Sequence, residues 1–138
     1  MLMSLWQNDY IPTAVLPSCV WSSEWDVTDG KLNAWVHQRS CDVPLGLPFN
    51  VTQYATLLCM IAQVCDMEAG ELLHVIADCH IYDRHIPIIK ELIEREPYPA
   101  PTVRLNPEIR DFYQFTTDDL IVENYQTGPQ VKDIPIAV

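Results

Sequence analysis

At 138 residues, 49% of them hydrophobic and 20% charged, the chain has the composition of one globular domain, residues 1–138, with enough apolar material for a real core. Its formal charge of −11, from 19 acidic and 8 basic residues, excludes a nucleic-acid groove, because no Lys/Arg cluster supplies the basic stripe that phosphates need. No apolar run reaches the length of a membrane span, and the opening residues lack the basic region of a signal peptide, so no membrane partner is expected. Five cysteines, an odd number, lie in hydrophobic periodic stretches and read as reduced thiols of a cytoplasmic protein.

Taken in chain order, residues 1–18 carry two prolines and little periodicity, and read as an extended or looped lead-in. Residues 19–27 and 32–40 are rich in Val and Trp, with the Asp29-Gly30 turn signal between them, which predicts a β-hairpin. Pro44, Gly46 and Pro48 shape a loop. From Phe49 to Asp66 the apolar residues Val51, Tyr54, Ala55, Leu58, Ile61, Ala62 and Cys65 keep helical spacing. Glu68-Ala69-Gly70 reads as a turn, and residues 72–82 as a mostly apolar strand. A second helix follows, with Ile86, Ile89, Leu92 and Ile93 on one face, stopping before Pro97. Short strands at 103–105 and 120–125, with a helical turn starting near Asn106, complete an α+β reading: a mixed, mostly antiparallel sheet with two main helices.

Chemistry concentrates in three stretches. Cys19 closes Leu16-Pro17-Ser18-Cys19. A nucleophilic thiol reacts as its thiolate and needs a cation or donors nearby. A symmetric hairpin about Asp29-Gly30 sets residue 19 opposite residue 40 or so, which brings Arg39 and Ser40 beside Cys19. A lone cysteine is more often a small buried hydrophobe, and Cys41, Cys59, Cys65 and Cys79 are read that way, as core thiols with no zinc spacing. Arg39 and Ser40 offer forked N–H donors and a hydroxyl, a natural grip on one phosphate; the plain alternative is an ion pair on a strand end.

Asn50 falls in the first helical turn, where Asn is a good cap, yet its carboxamide also presents donor and acceptor to a base edge. Asp42 is an acceptor-only carboxylate in the loop before Gly46, suited to an N–H pair on a ring or to plain solvation. His80 and Tyr82 alternate with apolar neighbours and are expected on one face of a strand. Their chemistry fits an acid/base pair, a metal fragment or a hydroxyl-binding pair. His80 and His85 are poorly spaced for a metal, none is expected, and His37 and His74 read as structural.

Leu16-Pro17-Ser18-Cys19, Gln38-Arg39-Ser40-Cys41-Asp42, Leu45-Gly46-Leu47-Pro48-Phe49-Asn50, Ala77-Asp78-Cys79-His80-Ile81-Tyr82, Arg95-Glu96-Pro97 and the terminal Ala137-Val138 together resemble thymidylate synthase. The resemblance covers the chain but only the second, C-terminal catalytic half of such an enzyme, the N-terminal part being missing. It implies a thymidylate synthase-like fold and reductive methylation of dUMP to dTMP with 5,10-methylenetetrahydrofolate as co-substrate, giving dihydrofolate. It further implies Cys19 as nucleophile; Gln38, Arg39 and Ser40 around the nucleotide phosphate; Asn50 on the uracil edge; and His80 and Tyr82 on the deoxyribose 3′-hydroxyl. Asp42 would meet both base and folate, with Leu45, Gly46, Phe49 and Ala137 completing the folate contacts.

Three positions depart from the family pattern: Ser18 for proline, Val20 for histidine and Ala77 for glycine. The arginines, glutamate and folate-site tryptophans that the family carries upstream have no counterpart in the 138 residues. The alternatives are therefore a non-catalytic truncated homologue, a half-enzyme needing a separate N-terminal chain, or a dUMP hydroxymethyltransferase. A homodimer is also expected, because Trp21, Trp25 and Trp35 put more aromatic surface on the sheet than one helical layer covers, and the family packs two such sheets back to back.

Overall fold

The computed structural model describes residues 1–135. They form two compact units, Met1–His80 and the residues from Ile81 onward. The first is organised by Asp29 and Gly30, both left-handed at φ 52° and 77°. Two successive positive φ values make the two-residue turn whose twist suits a hairpin, and only residues like Asp and Gly accept them cheaply. This turn joins β2 (Val20–Thr28) to β3 (Lys31–Asp42). The lead-in contributes an edge strand that its composition does not announce, β1 (Leu2–Ser4), antiparallel to β2.

Helix α1 (Leu47–Val64) begins two residues before the predicted start, because Pro48 occupies its first turn, where a missing N–H costs nothing. At the other end Asp66 turns left-handed at φ 53°, and the Met67 N–H donates to the Ala62 carbonyl at 2.8 Å. The same carbonyl also accepts the Cys65 N–H at 3.2 Å, so the last turn closes on two donors. Tyr54, Leu58 and Ala62, spaced four apart, form the buried stripe. Leu58 and Ala62 pack with Trp25, Leu32 and Ala34, while Tyr54 packs with Val20 and Val36. Trp25 thus belongs to the core beneath α1.

The helix returns the chain to β4 (Glu68–His80), which runs parallel to β3. The sheet, in the order β1-β2-β3-β4, is mixed, with two antiparallel pairs and one parallel pair. Two expectations need correction here. Glu68-Ala69-Gly70 is the start of β4, not a turn. The Asn33 side chain accepts the Glu71 N–H at 2.9 Å across a ladder irregularity, and a Cβ on Gly70 would collide with it. At the far end β4 stops at His80, so Tyr82 does not share a strand face with it. Tyr82 leads instead into a 3-10 turn at Asp83–His85. On the sheet face away from α1, residues alternating with the buried Ala34 and Val36 put Trp35 beside Leu73, which is 52% exposed; Val75 also lies there.

The second unit holds α2 (Ile86–Ile93) and an antiparallel pair, β5 (Thr102–Leu105) and β6 (Leu120–Glu123). The helical turn expected from Asn106 lies later, at Phe112–Gln114, where the Asp111 carboxylate accepts the Tyr113 N–H at 3.0 Å. Before β6 the Asp119 carboxylate accepts the Asn106 amide at 2.8 Å, the Thr116 N–H at 2.9 Å and the Thr116 hydroxyl at 2.8 Å. The Asn106 bond first, then those from Thr116, hold its carboxyl below the ordinary value.

Candidate active site

A hairpin ladder in unbroken register from Trp25↔Ala34 would set Cys19 against Ser40. A bulge between Val20 and Ser22 shifts the pairing by one. The Arg39 N–H then donates to the Cys19 carbonyl at 2.8 Å, which makes Arg39 its direct neighbour. The guanidinium Nη2 lies 3.9 Å from Cys19 Sγ and also donates to the Pro17 carbonyl at 2.6 Å. Arg39 Nε is buried without a hydrogen-bond partner among the described residues. One end of the fork is therefore pinned beside the thiol.

Cys19 is exposed. The other cysteines divide differently from the expectation of four core thiols. Only Cys41 is buried, and Cys59, Cys65 and Cys79 are exposed. Burial, then the neighbouring Cys79, pushes the Cys41 thiol upward, and burial pushes up that of Cys59 as well, which makes both less apt to ionise.

Gln38 is 2% exposed, and besides a side-chain hydrogen bond with the Cys41 thiol it holds three further partners. Its Nε2 donates to the Ser40 carbonyl at 2.8 Å and to Asn50 Oδ1 at 3.0 Å, and its Oε1 lies 2.8 Å from His74 Nε2. Asn50 is therefore held from the side chain of β3 instead of serving as a helix cap, and α1 has no side-chain cap bond. The Ser40 hydroxyl reaches Asp78 Oδ2 at 3.5 Å, and the same carboxylate oxygen lies 3.3 Å from His80 Nδ1.

Asp42 ends β3 opposite His80, and its carbonyl accepts the Gly46 N–H at 2.7 Å. A Cβ at residue 46 would sit 3.0 Å from that carbonyl oxygen, so the tight turn is best made by glycine. Leu45 is half-buried in the same turn, and Phe49 is 77% exposed on the first turn of α1. Cys19, Gln38, Arg39, Ser40, Asp42, Asn50 and His80 all gather at the end of the sheet where the parallel strands β3 and β4 finish and α1 begins. That is where crossover folds open a crevice to ligands. Tyr82 falls in the second unit, its ring edge-on to His85 at 5.8 Å, and Ala137 lies outside the described residues. A cavity of about 660 Å³ opens at the opposite end of the sheet, beside Asp29, Lys31 and Glu71, and touches none of these residues.

Sequence reasoning misses two side chains of this cluster. His74 reads as structural, yet it holds Gln38. Asp78 is only part of a motif, yet it joins Ser40 to His80. Both sit on β4 at positions that face β3 residues only if the two strands are parallel. The strand–helix–strand order is the available signal, since such a crossover returns a parallel strand.

The fold and the cluster first define a class: an α+β chain on a mixed sheet, with a thiol, a guanidinium and a carboxamide pair at the carboxyl ends of a parallel strand pair. The chain belongs to the thymidylate synthase family, whose sequence pattern, described as "Thymidylate synthase", matches residues 1–138. It is 45% identical over 133 residues to thymidylate synthase 1 of Bacillus amyloliquefaciens, covering 96% of this chain and 58% of that protein. It is also 46% identical over 127 residues to the thymidylate synthase of Bacillus phage phi3T, covering 92% and 46% respectively. Among solved structures, thermostable thymidylate synthase A from Bacillus subtilis superposes with a TM-score of 0.92 at 44% identity, covering 97% of this chain and 48% of that one. The chain spans about half the length of the relatives it matches.

Proposed function

We propose that the chain provides the nucleophile-bearing half of a thymidylate synthase site, acting on dUMP with 5,10-methylenetetrahydrofolate. The observation that carries the reading is Cys19 with the Arg39 guanidinium 3.9 Å from its sulfur. In this reading Cys19 Sγ adds to C6 of the uracil ring, which makes C5 nucleophilic toward a one-carbon unit. Methylenetetrahydrofolate supplies that carbon and the hydride. Arg39 and the Ser40 hydroxyl serve the phosphate, Asn50 the base, and His80 the sugar hydroxyl. The Asp42 carboxylate and the open ring of Phe49 flank the turn through Leu45 and Gly46, a polar group beside an apolar face, which suits a pterin.

The phosphate is a dianion, and one arginine is a thin match for it in a chain of charge −11. Each absent charge-assisted partner costs about 2–5 kcal/mol of binding. The further cations and a proton-transferring carboxylate then come from residues beyond these 138, consistent with relatives twice as long. The chain also pairs with a second copy through the sheet face bearing Trp35, Leu73 and Val75, whose exposed apolar surface supports a back-to-back contact.

The test is dTMP formation from dUMP and methylenetetrahydrofolate. The 138-residue chain alone gives little product, and adding a polypeptide that supplies the other half of a family member restores it. Failure of that mixture to make dTMP, with no detectable dUMP binding, would refute the reading.

A further inference from the structure

We propose that Gln38 and His74 form a positioning relay that fixes which way the Asn50 carboxamide points, and so sets the sense of the uracil-over-cytosine preference that the family resemblance already implies for Asn50. The proposal rests on the nucleotide reading above and adds two residues and a direction to it.

The relay starts from an atom whose role cannot change. The Ser40 main-chain carbonyl only accepts, so the Gln38 atom 2.8 Å away must be the NH₂ group. Gln38 Oε1 therefore faces His74 Nε2 at 2.8 Å, and that nitrogen must carry a hydrogen. The second Gln38 N–H points at Asn50, where the atom at 3.0 Å must be the oxygen. Each of these orientations follows from the one before it through the hydrogen-bond network. Gln38 is 2% exposed, so water cannot replace a mismatched partner.

His74 supplies an independent check. Its Nδ1 is buried with no hydrogen-bond partner among the described residues. The Nε2–H form leaves only a lone pair there, whereas the alternative tautomer would bury an unpaired N–H. Burial also pushes the His74 pKa down, which keeps the ring neutral near pH 7.

Asn50 is left with both Nδ2 hydrogens and one Oδ1 lone pair to offer. Uracil presents an O4 acceptor beside an N3–H donor, which this arrangement meets. Cytosine presents an amino donor beside a bare N3 acceptor. To meet it Asn50 would have to reverse, setting its NH₂ against the NH₂ of Gln38. The sense of selection thus originates in a main-chain carbonyl that no side-chain substitution removes, and His74 keeps Gln38 from turning away from it.

The test uses the 138-residue chain with ¹⁵N-labelled histidine, and titrates it separately with dUMP and dCMP. The expected His74 spectrum is the neutral Nε2–H tautomer at pH 7, with or without nucleotide. His74→Leu, which removes the donor, narrows the preference for dUMP over dCMP by about tenfold, as expected when a buried acceptor loses its hydrogen-bond partner. His74→Gln, which restores a donor, keeps the preference within about threefold of the parent. An Nδ1–H tautomer, or equal narrowing by both variants, overturns the relay while leaving dUMP binding intact. An Nε2–H tautomer in a chain that binds dCMP as well as dUMP overturns the uracil reading and the selective role with it. The spectrum of the unaltered chain decides the tautomer even where a variant does not fold.

Discussion

The two units are stabilised by opposite means. In the first, the buried positions are mostly apolar: Val20, Trp25, Leu32, Ala34, Val36, Tyr54, Leu58 and Ala62 form the core between sheet and helix. In the second, the described residues that are buried are His85 and Asp119, both polar. His85 is fully enclosed and bonds through Nε2 to the Pro135 carbonyl at 2.7 Å. Asp119 ties the turn before β6. A sheet closed by a helix gains from area removed from water, whereas a two-stranded pair with polar anchors depends on a few hydrogen bonds in good geometry. The polar residues of the candidate site sit on the better-packed unit, which suits side chains that must hold fixed distances.

The contrast breaks or stands on a core truncation. Leu58→Ala opens a cavity under Trp25 and Ala34 and destabilises the first unit by about 2–5 kcal/mol. Hydrogen exchange should then speed up across β2, β3 and β4 and change much less in β5 and β6. Equal loss in both sheets would mean that the two units unfold as one.

Acid sharpens the same contrast, because each unit holds one group displaced downward. The folded pKa of His74 lies below its ordinary 6.5 through burial. The unfolded chain therefore takes up the proton first, and the first unit loses stability as pH falls from about 6.5 toward the folded value. Asp119 lies below its ordinary 3.8, chiefly through the Asn106 bond. Its contribution is complete above that value and is lost as pH falls through the folded pKa. Protection factors, which remove the intrinsic pH dependence of amide exchange, should fall first in β4 and only later around β6 as the pH is lowered from 7 to 3. The reverse order would show that these groups do not govern the two regions.

The smallest effect is expected at the surface. Lys31 and Glu68 pair at 3.2 Å with both side chains at least half exposed, so Lys31→Ala should cost less than about 1 kcal/mol in thermal unfolding. A larger loss would mean that the hairpin turn is held by charge and not by its left-handed backbone.

Much of this is legible in the residues. Asp29-Gly30 announces the hairpin, the four-residue spacing of Tyr54, Leu58 and Ala62 announces α1, and the motif around Cys19 and Arg39 announces their proximity. What stays hidden is relational. The bulge that makes Arg39 and not Ser40 the partner of Cys19 leaves no mark in composition. The fit of the Asn33 side chain over Gly70 makes a strand look like a turn. The direction of β4 can be inferred from the strand–helix–strand order, and without it His74 and Asp78 stay invisible, since their importance lies in what faces them. The exposure of Cys59, Cys65 and Cys79 escapes because cysteine type says little about which helix or sheet face a residue occupies.

If Cys19 and Arg39 form one nucleotide-directed site, as proposed, differential alkylation with mass mapping reads it out. With a small electrophile at neutral pH, Cys19 should label faster than Cys59, Cys65 and Cys79, and Cys41 slowest of all. Arg39→Ala should slow Cys19 by removing the donor that faces its sulfur. Added dUMP should protect Cys19 alone, in proportion to its occupancy. Faster labelling of Cys59 or Cys65, or dUMP protection that spares Cys19 and falls on another thiol, would contradict the account.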